Sequence, residues 1–543
     1  MPPQQYDVFI SDSQRAPVRT MPAHWPLLAA LTAVCAVLVA VRPLNFLADD
    51  SLFYLVIADH VASGAGSTFN GLVATNGYHP LWQLLAAILA LLPHSKAALL
   101  AYGVAAQCMF ELAAFWVLQR ALCTTFGPRV IGAPLGALLL LFVAVGNLYW
   151  SEGPLSLLCL ALLIATLLEE SEPRPVRLGV LLGLAFLARL DNVFVIGPLL
   201  AALWWRERDR RFLGAGALCA LIGGAYIGYN IARFGHAVPI SGAIKSAFYR
   251  HHYFRGLLGP NGLLSVVGAV GLIVVVVRDR TAPARYRTVA LALAVGALLQ
   301  SAYVVALTYG DTTWAWYYVP GYLCFVLLAA QLGQASARRR GLTWSEALFA
   351  VAALATLSIS GAKFLFGTSL HAVTTDTSAW RTAWIHTVAQ AVPPDDAPLL
   401  VFDQPGLFAF GTSHPVLSLD GLTSNYQFDA SLGREGMYAQ LARMHRAYLI
   451  APTVASGIKL RSATLTQTGT PDGQILHFAA PLSGADAGCV WVAAGARVAT
   501  LHAPSVLHAG TWGVWALTDA TIRPVHCPDQ DLPRRGDQYL SIS

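Results

Sequence analysis

Charge is what this sequence has least of. Only 12% of its residues are charged, where a soluble domain carries roughly 25%. Apolar residues fill the gap: they make up 56% of the chain, and the mean hydropathy is +0.56. A chain of 543 residues with this balance, broken into long apolar runs, is predicted to sit in a bilayer. The net charge of +6 is carried in short basic clusters between those runs. That pattern orients a membrane protein and gives no reason to expect a nucleic-acid partner. The eight cysteines show no metal-ligand spacing, and six of them (Cys35, Cys108, Cys123, Cys159, Cys219 and Cys324) lie in or beside apolar runs as small buried hydrophobes. A P-loop and a Rossmann fingerprint are both missing, so nucleotide chemistry is not indicated. No repeat or low-complexity tract stands out. No small-residue cleavage site follows the first apolar run, which is expected to be a retained anchor.

A spanning helix needs about 20 apolar residues. Runs of this kind occupy 25–43, 96–120, 130–147, 153–169, 176–189, 192–206, 212–232, 261–278, 286–309, 317–335 and 343–366. The expectation is a polytopic α-helical membrane protein of about eleven spans. Arginines cluster near 15–19, 120–129, 174–177, 206–211, 278–287 and 338–340. These are alternate loops only if the apolar run 81–93 does not cross, so that run is read as an interfacial helix. Positive charge then marks the cytoplasmic side. Residues 1–24 become a cytoplasmic tail, and the loop 44–95 and everything after about 367 become extracytoplasmic.

Past residue 370 the spanning runs stop. His371 to Ala391 has helical apolar spacing, and short β-like runs follow at Leu399–Phe402, Val416–Leu419, Cys489–Val492 and Gly513–Leu517. Residues 367–543 are read as a mixed α/β domain long enough for its own core. Outside the cytoplasm, Cys489 and Cys527 are a candidate disulfide, stabilising by ~3–4 kcal/mol for a loop of that size.

Polar residues concentrate on the outer face. Asp49 and Asp50 follow the first run directly. One carboxylate serves as a helix cap, but two at a membrane edge exceed what capping needs. Burial there raises a carboxyl pKa and makes a better base. Asp59 is read as a surface residue, and His60 has no assigned role. In Thr75–Trp82, turn chemistry accounts for Asn76, Gly77 and Pro80. Tyr78, His79 and Trp82 remain as candidates to line a sugar or lipid-phosphate site. A divalent cation held by Asp49, Asp50 and His79 is the one cofactor this donor set allows. Glu152 stands at a helix junction without an anchoring role. Arg189 beside Asp191 interrupts an apolar stretch, either as a structural pair or as a phosphate ligand. Lys245, in a Gly/Ser-containing turn on the same face, is a candidate for lipid-linked phosphate. Tyr317 and Tyr318 begin a span in an aromatic belt that is also able to stack on sugar.

Taken in order, the acidic pair, TNGYHPLW, ARLDN, YN…FG…PISGAIKS and WYYVP resemble the GT-C superfamily of polyprenyl-phosphate-dependent glycosyltransferases. That group includes protein mannosyltransferases, aminoarabinose lipid A transferases and arabinofuranosyltransferases. The resemblance covers roughly residues 25–366. It implies a GT-C-like transmembrane catalytic domain whose loop 44–95 is catalytic, in a bacterial plasma membrane. It further implies transfer of a sugar from a polyprenyl-phosphate donor to a glycan, lipid or protein acceptor, with inversion. On this pattern Asp49 is the general base and Asp50 positions the acceptor, or the reverse. Lys245, Arg189 and His79 bind donor phosphate, and Tyr78, Trp82, Glu152, Tyr317 and Tyr318 bind substrate. The pair is Asp-Asp where mannosyltransferases have Asp-Glu, which weakens a mannose assignment. The Ala- and Arg-rich composition of a GC-rich bacterium keeps arabinofuranose in play. A lipid-glycan flippase would place its charges deep within spans and often show a repeat. A glycan-binding assembly protein would not need so many spans.

Overall fold

The computed structural model describes residues 44, 47–127, 151–170, 172–248, 260–307, 315–338, 377–394, 397–454, 456, 459–461, 465–483, 485–502 and 511–527. The expected tail at 1–24 and the expected spans at 25–43, 130–147 and 343–366 lie outside these residues.

The first half of the chain is helical. Helices α1 (Asp49–Ala62) and α2 (Pro80–Ala90) precede a series of apolar helices: α3 (Lys96–Phe126), α4 (Gly153–Glu169), α5 (Pro175–Ala188), α6 (Val193–Glu207) and α7 (Arg210–Phe234). The short α8 (Ile240–Phe248) is followed by α9 (Pro260–Arg278), α10 (Ala284–Leu307) and α11 (Val319–Arg338). The apolar runs at 96–120, 153–169, 176–189, 192–206, 212–232, 261–278, 286–309 and 317–335 each coincide with one of these helices. Among the described residues, five helices are long and apolar enough to cross a membrane: α3, α7, α9, α10 and the Trp316–Gln334 segment that includes most of α11. Helix α2 has 11 residues, or about 16 Å. That is half the ~30 Å hydrocarbon thickness.

Local signals set the helix ends. Ser95 accepts the Ala98 N–H at the start of α3, and Asp209 accepts the Arg211 N–H at the start of α7. Each satisfies an amide that has no partner inside its own helix. Gly235 ends α7 at φ 77°, where a Cβ is disfavoured. Helices α3 and α4, α5 and α7, α6 and α10, and α9 with α10 and α11 pack in pairs.

From Thr377 the chain builds two sheets. Helix α12 (Thr377–Ala391) leads into a mixed sheet of order β2-β1-β3-β9-β8. Its strands are β1 (Leu399–Val401), β2 (Val416–Ser418), β3 (Arg446–Pro452), β8 (Arg497–His502) and β9 (Thr511–Thr518). Strand β1 is parallel to β2 and β3, whereas β9 is antiparallel to its neighbours. Helices α13 (Pro405–Gly411) and α14 (Tyr426–Met444) lie between these strands in sequence. The second sheet is antiparallel, order β10-β7-β6-β5-β4, built from β4 (Lys459–Arg461), β5 (Leu465–Thr470), β6 (Gly473–Ala479), β7 (Asp486–Ala493) and β10 (Ile522–Val525). Cys489 on β7 and Cys527 just past β10 form a disulfide with Cα atoms 5.3 Å apart. All four β-like runs read from the sequence are strands.

One hydrophobic core joins the two halves. Phe53, Val56 and Ile57 of α1 and Phe69 of the following loop pack with Trp384, Phe408, Tyr448 and Trp512. Arg381 of α12 donates to the Leu44 and Leu47 carbonyls at 2.8 and 2.7 Å. Helix α1 is therefore clamped between the helical bundle and the mixed sheet, and it carries the acidic pair.

Candidate active site

Asp49 and Asp50 open α1, where successive side chains leave the axis about 100° apart. They meet different neighbours. Asp49 accepts the Gly406 N–H at 2.9 Å through Oδ2 and the Leu407 N–H at 2.7 Å through Oδ1. It thereby caps α13, whose first amides have no intrahelical acceptor. A Cβ on Gly406 would lie 2.5 Å from the Asp49 carbonyl oxygen, so this approach requires glycine. Burial pushes the Asp49 carboxyl well above its usual range. The Gly406 amide and Arg381 oppose the shift, and the Asp403 and Asp50 charges reinforce it.

Asp50 turns the other way. Its Oδ2 lies 3.6 Å from Lys245 Nζ, and both side chains keep contact with solvent, at 36% and 24% exposure. Lys245 projects from α8 and donates to the Tyr317 hydroxyl at 3.1 Å. Burial alone would lower its pKa, but Tyr317 and Asp50 raise it above the ordinary lysine value. Lys245 therefore stays cationic at neutral pH.

Beneath this pair lies a buried polar network. The Arg189 guanidinium sits 4.9 Å from the centre of the Tyr317 ring. Arg189 is 2% exposed. Its Nε and Nη2 donate to the two Asp191 oxygens at 3.0 and 2.8 Å, and Nη1 donates to Glu152. Glu152 also accepts from Ser151 Oγ at 2.5 Å and from the Tyr54 hydroxyl at 3.1 Å. That hydroxyl in turn accepts the His79 N–H at 3.1 Å. Burial pushes both carboxyls up, but Arg189 and the neighbouring hydrogen bonds and charges together outweigh it, and Glu152 and Asp191 sit below their usual range. The His79 Nε2 is 3.7 Å from Glu152, and its Nδ1 accepts the Leu190 N–H at 3.4 Å. Burial lowers the imidazole pKa to about 4 against the pull of Glu152, so His79 is neutral.

Two further carboxyls come from the C-terminal half. Asp420 accepts the Leu422 N–H at 2.8 Å and the Ser418 hydroxyl. Burial pushes its pKa up to about 6; the Asp50 charge adds to this and the Lys245 charge opposes it. Asp403 is also pushed up to about 6, first by burial and then by the Asp420 charge. Among the described residues, the Oδ2 of Asp403 has no hydrogen-bond partner. The Asp420 loop is bolted to residues 74–77. Thr75 Oγ1 donates to the Ser424 carbonyl at 2.8 Å, and Asn425 Nδ2 donates to the Ala74 carbonyl at 3.2 Å. A Cβ on Gly77 would lie 2.1 Å from the Leu422 carbonyl oxygen. Asn76 accepts the Ile240 N–H at 3.0 Å and so fixes the start of α8.

The structure thus brings Asp50, Lys245 and Tyr317 together over Arg189, Glu152 and His79. Other expected roles change. Asp49 docks α13, with both oxygens engaged by amides. Arg189 has three nitrogens committed to two carboxylates and acts as a buried counter-charge, not as an open phosphate ligand. Glu152 is enclosed by Arg189, Ser151 and Tyr54, so it supports the site from below. Trp82 is 2% exposed and packs against Tyr54 and Phe110, which makes it core. Tyr318 is 1% exposed in the same core. The Tyr78 hydroxyl shares a hydrogen bond with Ser67 Oγ at 2.7 Å. The cation set Asp49, Asp50 and His79 does not converge: Asp49 is held by amides, and both His79 nitrogens have neighbours. Among the described residues, the ligand atoms that do converge are those of His477, Cys489 and Cys527, and the two cysteines are joined in the disulfide. Asp403 and Tyr54 were not anticipated. The Asp420-Gly421-Leu422 stretch resembles the same GT-C superfamily in sequence, but no local signal assigns it a role or marks what it faces.

No protein-family model and no curated protein sequence matches this chain. Solved structures do. ArnT from Cupriavidus metallidurans in the apo state is similar over 78% of this chain and 92% of its own, with a TM-score of 0.52 at 16% identity. The same protein bound to undecaprenyl phosphate is similar over 80% and 94%, with a TM-score of 0.50 at 14% identity. The apo oligosaccharyltransferase of Archaeoglobus fulgidus reaches a TM-score of 0.45 at 11% identity over 79% of this chain and 70% of its own. At these identities the likeness is one of fold alone: the chain is folded like ArnT over most of the length of both proteins.

Proposed function

We propose that the protein is a membrane glycosyltransferase that takes a sugar from a polyprenyl-phosphate donor and passes it to an acceptor outside the cytoplasm. The observation that carries this reading is the Asp50–Lys245 pair, a carboxylate and a cation 3.6 Å apart and open to solvent, set on a GT-C fold. A crystal structure of the similar ArnT contains undecaprenyl phosphate, which supports a lipid-phosphate donor here. Asp50 takes the proton of the acceptor hydroxyl. The acceptor oxygen bonds to the anomeric carbon from the face opposite the phosphate. The carbon–oxygen bond to phosphate breaks, its electron pair leaves with the lipid phosphate, and the configuration inverts. Lys245, aimed by Tyr317, stabilises the charge that grows on the leaving phosphate. Asp420 borders the acceptor side, and the Arg189 network keeps Tyr317 in place. Asp49 has the docking role, which assigns the base to the second carboxylate of the pair.

The test is turnover of synthetic polyprenyl-phosphate sugars by the purified full-length protein in nanodiscs. Asp50→Asn is expected to lower transfer by about 10²–10⁴-fold, the usual contribution of a general base, while donor binding persists. Asp49→Asn is expected mainly to lower the melting temperature. Full turnover by Asp50→Asn would sink the mechanism.

A further inference from the structure

A second cavity, of about 290 Å³, lies at the other end of α1. Nine residues separate Asp50 from Asp59, which is about 14 Å along the helix. The cavity is closed by the end of α1, the loop after it, the first residue of α3 and the turn after α13. It therefore exists only where the first loop and the C-terminal unit meet. Its lining includes Phe69 and Phe410 together with a set of polar groups, Asp59, His60, Asn70, Lys96, Ser413 and His414.

The polar groups line the cavity with mixed hydrogen-bonding character. His60 Nδ1 donates to the Thr68 carbonyl at 2.8 Å, and His414 Nδ1 donates to the Ala397 carbonyl at 3.3 Å. Each ring is left with Nε2 as an acceptor. Asn70 Oδ1 accepts the Leu72 and Val73 amides at 2.9 and 2.8 Å, which leaves its NH₂ to donate outward. Lys96 gives one hydrogen to the Thr412 carbonyl at 2.6 Å and keeps two more. Asp59 is held through one oxygen by His94 at 3.0 Å. Ser413 both donates and accepts.

This alternation selects the ligand. An anion would meet the Asp59 carboxylate and two imidazole lone pairs. A cation would meet Lys96. An apolar molecule would strand all the polar groups without partners. A neutral ring bearing several hydroxyls satisfies donors and acceptors alike, and its C–H face packs on the phenylalanines. The volume is at the lower end for ligand pockets and has room for one ring. The geometry points to a saccharide-binding site here that holds one sugar residue of a glycan acceptor, back along its chain from the hydroxyl that Asp50 deprotonates. The identification of that sugar as part of the acceptor rests on the proposed transfer reaction. The binding of a sugar does not.

Saturation-transfer NMR on the full-length protein in nanodiscs tests this, with methyl glycosides of mannopyranose, galactopyranose, glucopyranose and arabinofuranose as probes. At least one glycoside is expected to receive saturation. Its signal is expected to fall at least about five-fold, the equivalent of one lost hydrogen bond, in Ser413→Trp, which fills the open wall, and in His414→Phe, which keeps the ring and removes the acceptor. Asp50→Asn is expected to keep the signal. If either variant melts early, Asn70→Leu in the lining replaces it and is read the same way. Three results overturn the site: no glycoside receives saturation, the signal is equal in natively melting cavity variants, or inorganic phosphate displaces every bound glycoside. Glycoside binding in a protein whose Asp50→Asn variant still transfers sugar would leave the site standing and refute the reaction instead.

Discussion

Two adjacent aspartates with the same chemistry meet different partners because a helix sends neighbouring side chains in different directions. Asp49 meets the amides of Gly406 and Leu407, and Asp50 meets Lys245. The sequence marks the pair as unusual for a membrane edge. It does not say which member faces which partner, since both partners lie far along the chain. Trp82 and Tyr318 show the opposite difficulty: an aromatic beside an apolar run fits an interface, a sugar face or a core, and burial alone decides. Arg189 is where residue chemistry has the largest energetic consequence. Removing one partner of a buried ion pair costs about 3–5 kcal/mol, whereas replacing the whole pair by apolar groups is often neutral. Glu152→Ala is therefore expected to destabilise the protein by about that amount. Adding Arg189→Met and Asp191→Asn, so that no uncompensated charge of the Arg189–Glu152–Asp191 cluster stays buried, should restore part of the loss, measured as thermal midpoints in detergent. The triple variant should not transfer sugar, because Tyr317 loses the guanidinium beside its ring. A triple variant less stable than Glu152→Ala would count against the cluster being a mutual compensation.

At the scale of elements, the apolar runs were legible because hydrophobic length alone decides a spanning helix. The strand runs rich in valine and tryptophan were legible for a similar reason. Helix α14 was not. Its apolar residues do not gather on one face, and it bends at Gly436, where φ is 79°. The hairpin of β5 and β6 was missed as well, since threonine, glutamine and glycine hide its alternation. The Thr75–Gly77 segment was read as a turn with substrate-binding neighbours. In the structure it is a bracket: it fixes the start of α8, and so Lys245, and it holds the Asp420 loop. Gly77 makes that possible by letting the Leu422 carbonyl come close. Gly77→Ala would set a methyl 2.1 Å from that oxygen, so either the loop or α8 must move. Transfer is expected to fall by at least about tenfold, in line with the sensitivity of catalysis to displacements near 1 Å. The melting temperature should change by only a few degrees, the effect of about 1 kcal/mol on a protein of this size. Activity assays and melting curves on the same preparation check this, and wild-type turnover in Gly77→Ala would refute the bracket.

Across the whole molecule, the first loop and the C-terminal sheets share one core, and no local pattern in the sequence reports a contact between Phe53 and Trp512. The same interface buries acidic groups together. Burial pushes the carboxyl pKa values of Asp403 and Asp420 up to about 6, from the ordinary aspartate value of 3.8. Below about pH 4 both residues are protonated in the folded and the unfolded chain, and the interface is unpenalised. As pH rises from about 4 to about 6, the unfolded chain ionises freely while the folded chain must ionise groups that burial disfavours. Their contribution to stability is lost across that window. Asp403 is the cleaner probe, because its Oδ2 has no hydrogen-bond partner among the described residues and it lies outside the Asp50–Lys245 pair. Asp403→Asn removes the ionisation while preserving the shape. It is expected to stabilise the protein at pH 8 by about 1–2 kcal/mol, the shift discounted for water that still reaches the group. The gain should vanish below about pH 4, where the wild-type carboxyl is already neutral. Thermal midpoints of wild type and variant between pH 4 and pH 8 read this directly, and the two curves should diverge between about pH 4 and about pH 6 and stay apart above it. A variant that melts below wild type at pH 8 would mean that ionised Asp403 makes a favourable contact outweighing its burial, and the acidic interface would then be a source of stability at neutral pH instead of a strain on it.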